Sequence, residues 1–187
     1  LMIGMDSPVA ARLDHLGLGS PERPDYQRYR PVMTQGNRLY LGGEGKFRQT
    51  ALSEQVAHTG WSWGVGAFDC DNDGDLDLAI ANGHLSDAST AEYESQFWRH
   101  DIYVGDSQED KAKEMYFGAV IGRSRSAGSS YGGNHLNRFF LNESGSTFRE
   151  VAYLLGTSLS LDSRSVVADD LDSDGRLDLL VTSYSTW

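Results

Sequence analysis

A chain of 187 residues with 39% hydrophobic side chains carries enough apolar material for a packed core, which excludes global disorder. Its formal charge of -11, from 16 Lys plus Arg against 27 Asp plus Glu, excludes nucleic acid or an anionic membrane as the main partner and points to divalent cations. Twenty-one glycines, nine tyrosines and four tryptophans without long apolar runs disfavour a helical bundle, and nothing reaches the ~18 apolar residues of a membrane span.

In chain order, Leu1 to Ser7 is similar to Leu179 to Ser185, which places residues 1–7 at the end of a preceding repeat unit. These first residues also lack the basic flank and cleavage pattern of a secretion signal. Residues 8–36 predict a short helix around Val9 to Leu16, capped by Asp6 or Ser7 and stopped by Gly17. His15 near its end suits the helix dipole. A Pro-rich passage through Pro21, Pro24 and Pro31 then reads as loop.

Residues 37–84 and 137–187 are two copies of one unit. Asn37-Arg38-Leu39-Tyr40-Leu41 returns as Asn137-Arg138-Phe139-Phe140-Leu141, each followed by a Gly-bearing turn and Phe-Arg, which reads as a β-hairpin one residue longer in the second copy. Asp69 to Leu78 matches Asp170 to Leu179, with Gly74 lying 37 residues after Asn37 and Gly175 lying 38 after Asn137. Each acidic loop runs into a short strand, Ala79-Ile80-Ala81 or Leu180-Val181-Thr182. Between the copies, residues 85–136 form an insertion, predicted to hold a helix over Ala88 to His100 and a Gly/Ser-rich loop from Gly122 to Gly133.

The two acidic loops carry the chemistry. Asp69, Asp71, Asp73, Gly74, Asp75 and Asp77 stand where Asp170, Asp172, Asp174, Gly175, Arg176 and Asp178 stand in the second copy. Carboxylates at alternate positions of a tight loop converge hard oxygens on one point, glycine at the sixth position permits the turn, and the seventh residue, Asp75 or Arg176, supplies its backbone carbonyl. Without a cation these carboxylates repel one another. Two bound calcium ions would bring the formal charge from -11 to -7. Calcium is expected over magnesium, which keeps more of its water. An EF-hand is excluded, because the loops lead into strand-like sequence and the twelfth position holds Ile80 or Val181 in place of glutamate.

These motifs, with Gly60-Trp61-Ser62-Trp63-Gly64-Val65 leading to Phe68 and with Asn82-Gly83, resemble the FG-GAP/VCBS repeat family of integrin-alpha-like β-propellers, in particular the bacterial ASPIC/UnbV-associated type. The second copy departs from the pattern, with Asp162-Ser163-Arg164-Ser165 for the Trp-Ser-Trp-Gly segment and Asp169 for Phe68. The resemblance covers about half the chain. It implies a mainly β fold: a partial β-propeller of about two four-stranded antiparallel blades, 37–84 and 137–187, each with a calcium loop, and short helices in the inserted segments. Two blades cannot close a propeller, so the partners expected are the remaining blades, or a protein or carbohydrate ligand. Extracellular calcium modules bind with dissociation constants of about 0.1 to 1 mM, which implies an extracellular, periplasmic or cell-surface location.

The expected function is a calcium-stabilised module for protein or glycan binding or scaffolding, not an enzyme. One alternative is a propeller-based polysaccharide lyase or glycoside hydrolase using His100 and Asp101 with Tyr103 or Tyr131, and another is a structural subunit of an envelope complex. Trp61 and Trp63 read as packing between blades, and the run Phe97, Trp98, Arg99, His100, Asp101, Tyr103 as either a contact surface or a packed helix. The histidines lack zinc-site spacing, and the serines near Ser124 to Ser130 lack a nucleophile elbow. Cys70, between Asp69 and Asp71, is expected to stay a thiol.

Overall fold

The computed structural model describes residues 1–17, 24–100 and 110–184, apart from the side chains of residues 26, 27, 31 and 100. Helix α1, Pro8–His15, starts where Ser7 accepts from the Ala10 N–H at 3.4 Å and Pro8 needs no donor, and it buries Val9, Ala10 and Leu13. The Pro-rich passage after it is not a loop throughout: Pro24–Thr34 forms helix α2. Pro24 occupies the first helical position, where its missing N–H costs nothing, and Pro31 is carried in the second half at the loss of one helical hydrogen bond.

Two hairpins follow the sequence pattern. Strands β1, Tyr40–Gly43, and β2, Lys46–Gln49, pair antiparallel around Glu44-Gly45, and β7, Arg138–Glu143, pairs with β8, Thr147–Glu150, around a turn one residue longer. Helix α3, Leu52–Ala57, follows β2, and the segments around the acidic loops form β3, Ser62–Phe68, with β4, Asp77–Asn82, and β9, Ser163–Asp169, with β10, Asp178–Ser183.

The four-stranded antiparallel sheet has the order β3-β4-β7-β8 and so joins the acidic hairpin of the first repeat to the Asn-Arg hairpin of the second. Segment 37–84 is therefore not one sheet, since β1-β2 stands apart from β3-β4, and β9-β10 is likewise a separate two-stranded sheet. The sequence period locates the unit without saying where a sheet starts, because any cyclic shift of the frame has the same period. Among the described residues the strands close no barrel or propeller.

Strand β4 is buried on both faces. Leu78 and Ile80 pack with Leu39, Val56 and Phe140 on one side, while Ala79 packs with Phe139, Val151, Ala152 and Val166 of β9 on the other. Consecutive Phe139 and Phe140 serve opposite faces, as the period of two requires. Strand β4 thus sits at the centre of the mainly β core, between the two clusters, and α3 contributes Val56 to one of them.

Strand β3 lies against β9 so closely that Gly64 has no room for a methyl group: a Cβ there would stand 2.5 Å from the Arg164 carbonyl oxygen and 2.7 Å from Ser165 Cα. Gly64→Ala should lower stability by about 1–3 kcal/mol in urea unfolding, the cost of prying two sheets apart. Gly118→Ala, in open space on a helix, should instead raise it by a few tenths to about 1 kcal/mol.

The insertion departs from its predicted form. Ala88 to His100 is not one helix: it holds strand β5, Ser89–Glu92, a single 3-10 turn over Glu94–Gln96 and helix α4, Phe97–His100. Parallel pairing of β5 with β6, Ser129–Ser130, and the Tyr93 N–H bonded to the Ser130 carbonyl at 3.1 Å override the local helical pattern. Of the expected loop from Gly122 to Gly133, Ser129–Ser130 is β6, and the residues up to Ser126 are instead the end of α5, Lys111–Ser126. Asp110 caps it by accepting from the N–H groups of Ala112 and Lys113, and Gly118 and Gly122 each cost about 1 kcal/mol without breaking it. Among the described residues no helix is long and apolar enough to cross a membrane.

Candidate metal centres

Each acidic loop leaves one strand and enters its antiparallel partner, so its two ends are held by a sheet ladder. Inside the loop the peptide N–H groups turn inward to the carboxylates. Asp69 accepts from the Asp73 N–H at 3.1 Å through Oδ1 and from the Gly74 N–H at 3.0 Å through Oδ2. Asp170 accepts from Asp174 at 3.0 Å and Gly175 at 2.9 Å through the same two oxygens. Asp73 Oδ1 takes the Asp75 N–H at 2.9 Å, as Asp174 Oδ1 takes that of Arg176 at 2.9 Å. Asn72 and Ser173 are left-handed at φ 60° and 63°, and Gly74 and Gly175 follow at 93° and 85°, a backbone that glycine adopts without strain.

In the first loop, carboxylate oxygens of Asp69, Asp71 and Asp77 all lie within 4.8 Å of one another, and in the second, those of Asp170, Asp172 and Asp174 do. The Asp73 carboxylate lies outside the first group and that of Asp178 outside the second; these groups are of side-chain oxygens and leave aside the backbone carbonyls of Asp75 and Arg176. Asp178 Oδ2 accepts the Leu171 N–H at 3.0 Å, as Asp77 Oδ2 accepts that of Cys70, and the Arg176 guanidinium stands 3.3 Å from Asp174 Oδ2. Both groups could hold a metal ion. The donors are all carboxylate oxygen, the set that suits a hard divalent cation over a thiophilic one.

Asp71 titrates above the ordinary aspartate range, through partial loss of solvent and then the charges of Asp73, Asp77 and Asp69, against which the Asp73 N–H works. Cys70 is pushed up to about 11 by burial first and then by Asp77, Asp71 and Asp69, so at neutral pH it is a thiol.

The two loops differ in their anchorage. Asp77 is fully buried, with Oδ2 accepting the Cys70 N–H at 2.8 Å and Oδ1 accepting the Asn142 N–H from β7 at 2.9 Å. Asn142 also donates from Nδ2 to the Leu76 carbonyl at 3.3 Å. The second loop is exposed, and β10 has β9 as its one sheet neighbour among the described residues. Nothing in the spacing of the aspartates marked Asn142, because the residue matters only once β7 lies beside β4.

The described histidine side chains take no part in either group. Trp61 donates from its backbone N–H to His135 Nδ1 at 3.0 Å and stacks on His84 at 4.4 Å between centroids. Burial lowers the pKa of both histidines, and for His84 the Arg164 cation adds to it, so both are neutral at physiological pH. Trp63 is partly exposed on β3, with the Arg164 guanidinium of β9 4.7 Å from its ring centroid. Of the residues considered for an enzymatic site, Asp101, Tyr103 and the His100 side chain lie outside the described residues. Tyr131 packs among Trp61, His84, Tyr93 and Phe97. Comparison with protein-family models, curated proteins and solved structures finds no match to this chain.

Proposed function

We propose that this chain is a calcium-stabilised repeat module of a β-propeller of the FG-GAP/VCBS kind, acting outside the cytoplasm in protein or glycan binding or scaffolding, with no catalytic role. The observation that carries the reading is the pair of acidic loops, which share a ligand spacing, a set of inward N–H bonds and a left-handed fourth residue. Calcium suits loops that offer several carboxylates and a flexible shell, whereas magnesium holds its water.

Recurring strand pairs support the propeller part. Met2 bridges Arg38 as Ile80 pairs with Arg138, and the Gly4 N–H donates to Asn37 Oδ1 as the Asn82 N–H donates to Asn137 Oδ1, both at 3.0 Å. Residues 1–4 thus occupy beside β1 the place that β4 occupies beside β7. The extracellular, periplasmic or cell-surface setting follows from ion supply, since loops with dissociation constants of about 0.1–1 mM fill there and stay empty in a resting cytosol.

Calorimetric titration with calcium after chelator treatment should give two ions per chain, with magnesium binding more weakly. Failure of both loops to bind calcium at millimolar concentration overturns the proposal.

A further inference from the structure

Outside the acidic loops, a half-open cavity of about 430 Å³ lies between α1, α4 and α5. Arg12 of α1, Arg99 of α4 and Arg123 of α5 all line it, together with Trp98, Tyr116 and Gln96. Among the described residues no carboxylate lines it, in a protein whose formal charge is -11. The guanidiniums of Arg12 and Arg99 lie 6.0 and 5.3 Å from the centroid of the single Trp98 ring, so two like charges are held near one indole.

Arg12 and Arg123 fall in the last turns of their helices, where a cation suits the dipole, but that explains neither Arg99 nor the convergence of all three on one space. Three cations around a cavity with no acid among its described lining residues repel one another and attract an anion, and guanidinium forks match carboxylate or sulfate. The remaining described wall is aromatic and neutral-polar, with an aliphatic patch from Val120 and Ile121. Tyr116 is well exposed, and Gln96, whose amide meets Ser124 Oγ at 3.1 Å, keeps further hydrogen-bonding capacity. Aromatic faces with hydroxyl-matching amides beside cations suit a sugar ring that carries an acidic group, and the volume falls within the range of small-ligand pockets.

We infer that this cavity is a binding site for an acidic saccharide, with the carboxylate of a uronate sugar on Arg12, Arg99 and Arg123 and its ring against the aromatic wall. The site stands apart from both acidic loops and holds no part of either.

The test follows intrinsic tryptophan fluorescence and calorimetry with digalacturonate as probe, its dimethyl ester as the uncharged counterpart, and inorganic sulfate as the bare anion. Binding of digalacturonate in chelator as well as in calcium, weakened about tenfold or more by esterification and by the Arg99→Gln/Arg123→Gln pair, is the expected result. Equal binding of acid and ester, no binding of the acid, or sulfate binding as tightly as the saccharide would each overturn it. Trp98→Phe, which keeps an aromatic surface, should weaken binding with unchanged unfolding midpoint, and an unaltered affinity in that variant would also count against the site. Because the readout holds in chelator, loss of saccharide binding is distinguishable from loss of ion binding in the loops.

Discussion

Raising free calcium from chelated conditions to about 10 mM should lift the thermal midpoint of this chain by roughly 10 °C, as each site with a dissociation constant of about 0.1–1 mM adds about 1.4–2.7 kcal/mol by mass action. Asp71→Asn combined with Asp172→Asn should abolish that rise. The same pair of changes should leave the midpoint in chelator unchanged or higher, because Asp71 is held above its ordinary pKa within a cluster of like charges. Asp77→Asn should behave differently. Both Asp77 oxygens already serve peptide N–H groups, those of Cys70 and Asn142, and an amide placed there turns a donor against one of them. A loss of about 1–3 kcal/mol in chelator is expected, measured by denaturant unfolding with and without calcium. A calcium-insensitive midpoint in the unmodified protein would remove the ion from the account, while an Asp77→Asn variant as stable as the parent would remove the anchor.

Stability should also fall as pH rises from about 4.5 to 7, through one residue far from the loops. Glu94 is buried, with its nearest hydrogen-bond donor, Ser7 Oγ, 3.4 Å away, and its pKa is raised from 4.5 to about 7 by burial first and then by the charges of Glu92 and Asp6. Asp6 in turn faces His58 at 3.2 Å. A carboxyl with a higher pKa in the folded state keeps a proton that the unfolded chain has lost. The folded protein is therefore penalised progressively across that window, by about 3 kcal/mol once the pH exceeds 7. Below about 4.5 both states are protonated and the penalty vanishes. Glu94→Gln should be close to neutral at pH 4.5 and stabilising by as much as about 3 kcal/mol at pH 8. Unfolding curves of the two proteins across that range, all in chelator, isolate this residue from the loops. Parallel pH profiles would show that Glu94 ionises normally.

The local features carried by fixed spacing were legible in the sequence. The acidic loops, the hairpins after Asn37 and Asn137 and the capped helix at Pro8 each depend on residues within about ten positions of one another, so their physics is written into consecutive side chains. The insertion was read less well. Ser89–Glu92 has local composition compatible with a helix, and only the parallel pairing with Ser129–Ser130, about forty residues on, makes it a strand. Residues after Gly122 looked like loop because glycine and serine are poor helix formers, yet the run from Lys111 had already nucleated a helix that two glycines do not stop.

What the sequence determined by itself was the local turn of the two loops, because alternating aspartates and a turn-forming glycine draw the same inward N–H bonds in both copies and gather three carboxylates in each. Which strands lie side by side was decided by tertiary structure alone. The repeat period is blind to its own starting point, so only the burial of β4 between Leu39, Val56 and Phe140 on one face and Val166 and Phe139 on the other joins the first acidic hairpin to the second Asn-Arg hairpin. The same packing sets Asn142 against Asp77 and gathers Arg12, Arg99 and Arg123 from three separate helices, contacts that no sequence interval encodes because long-range burial creates them.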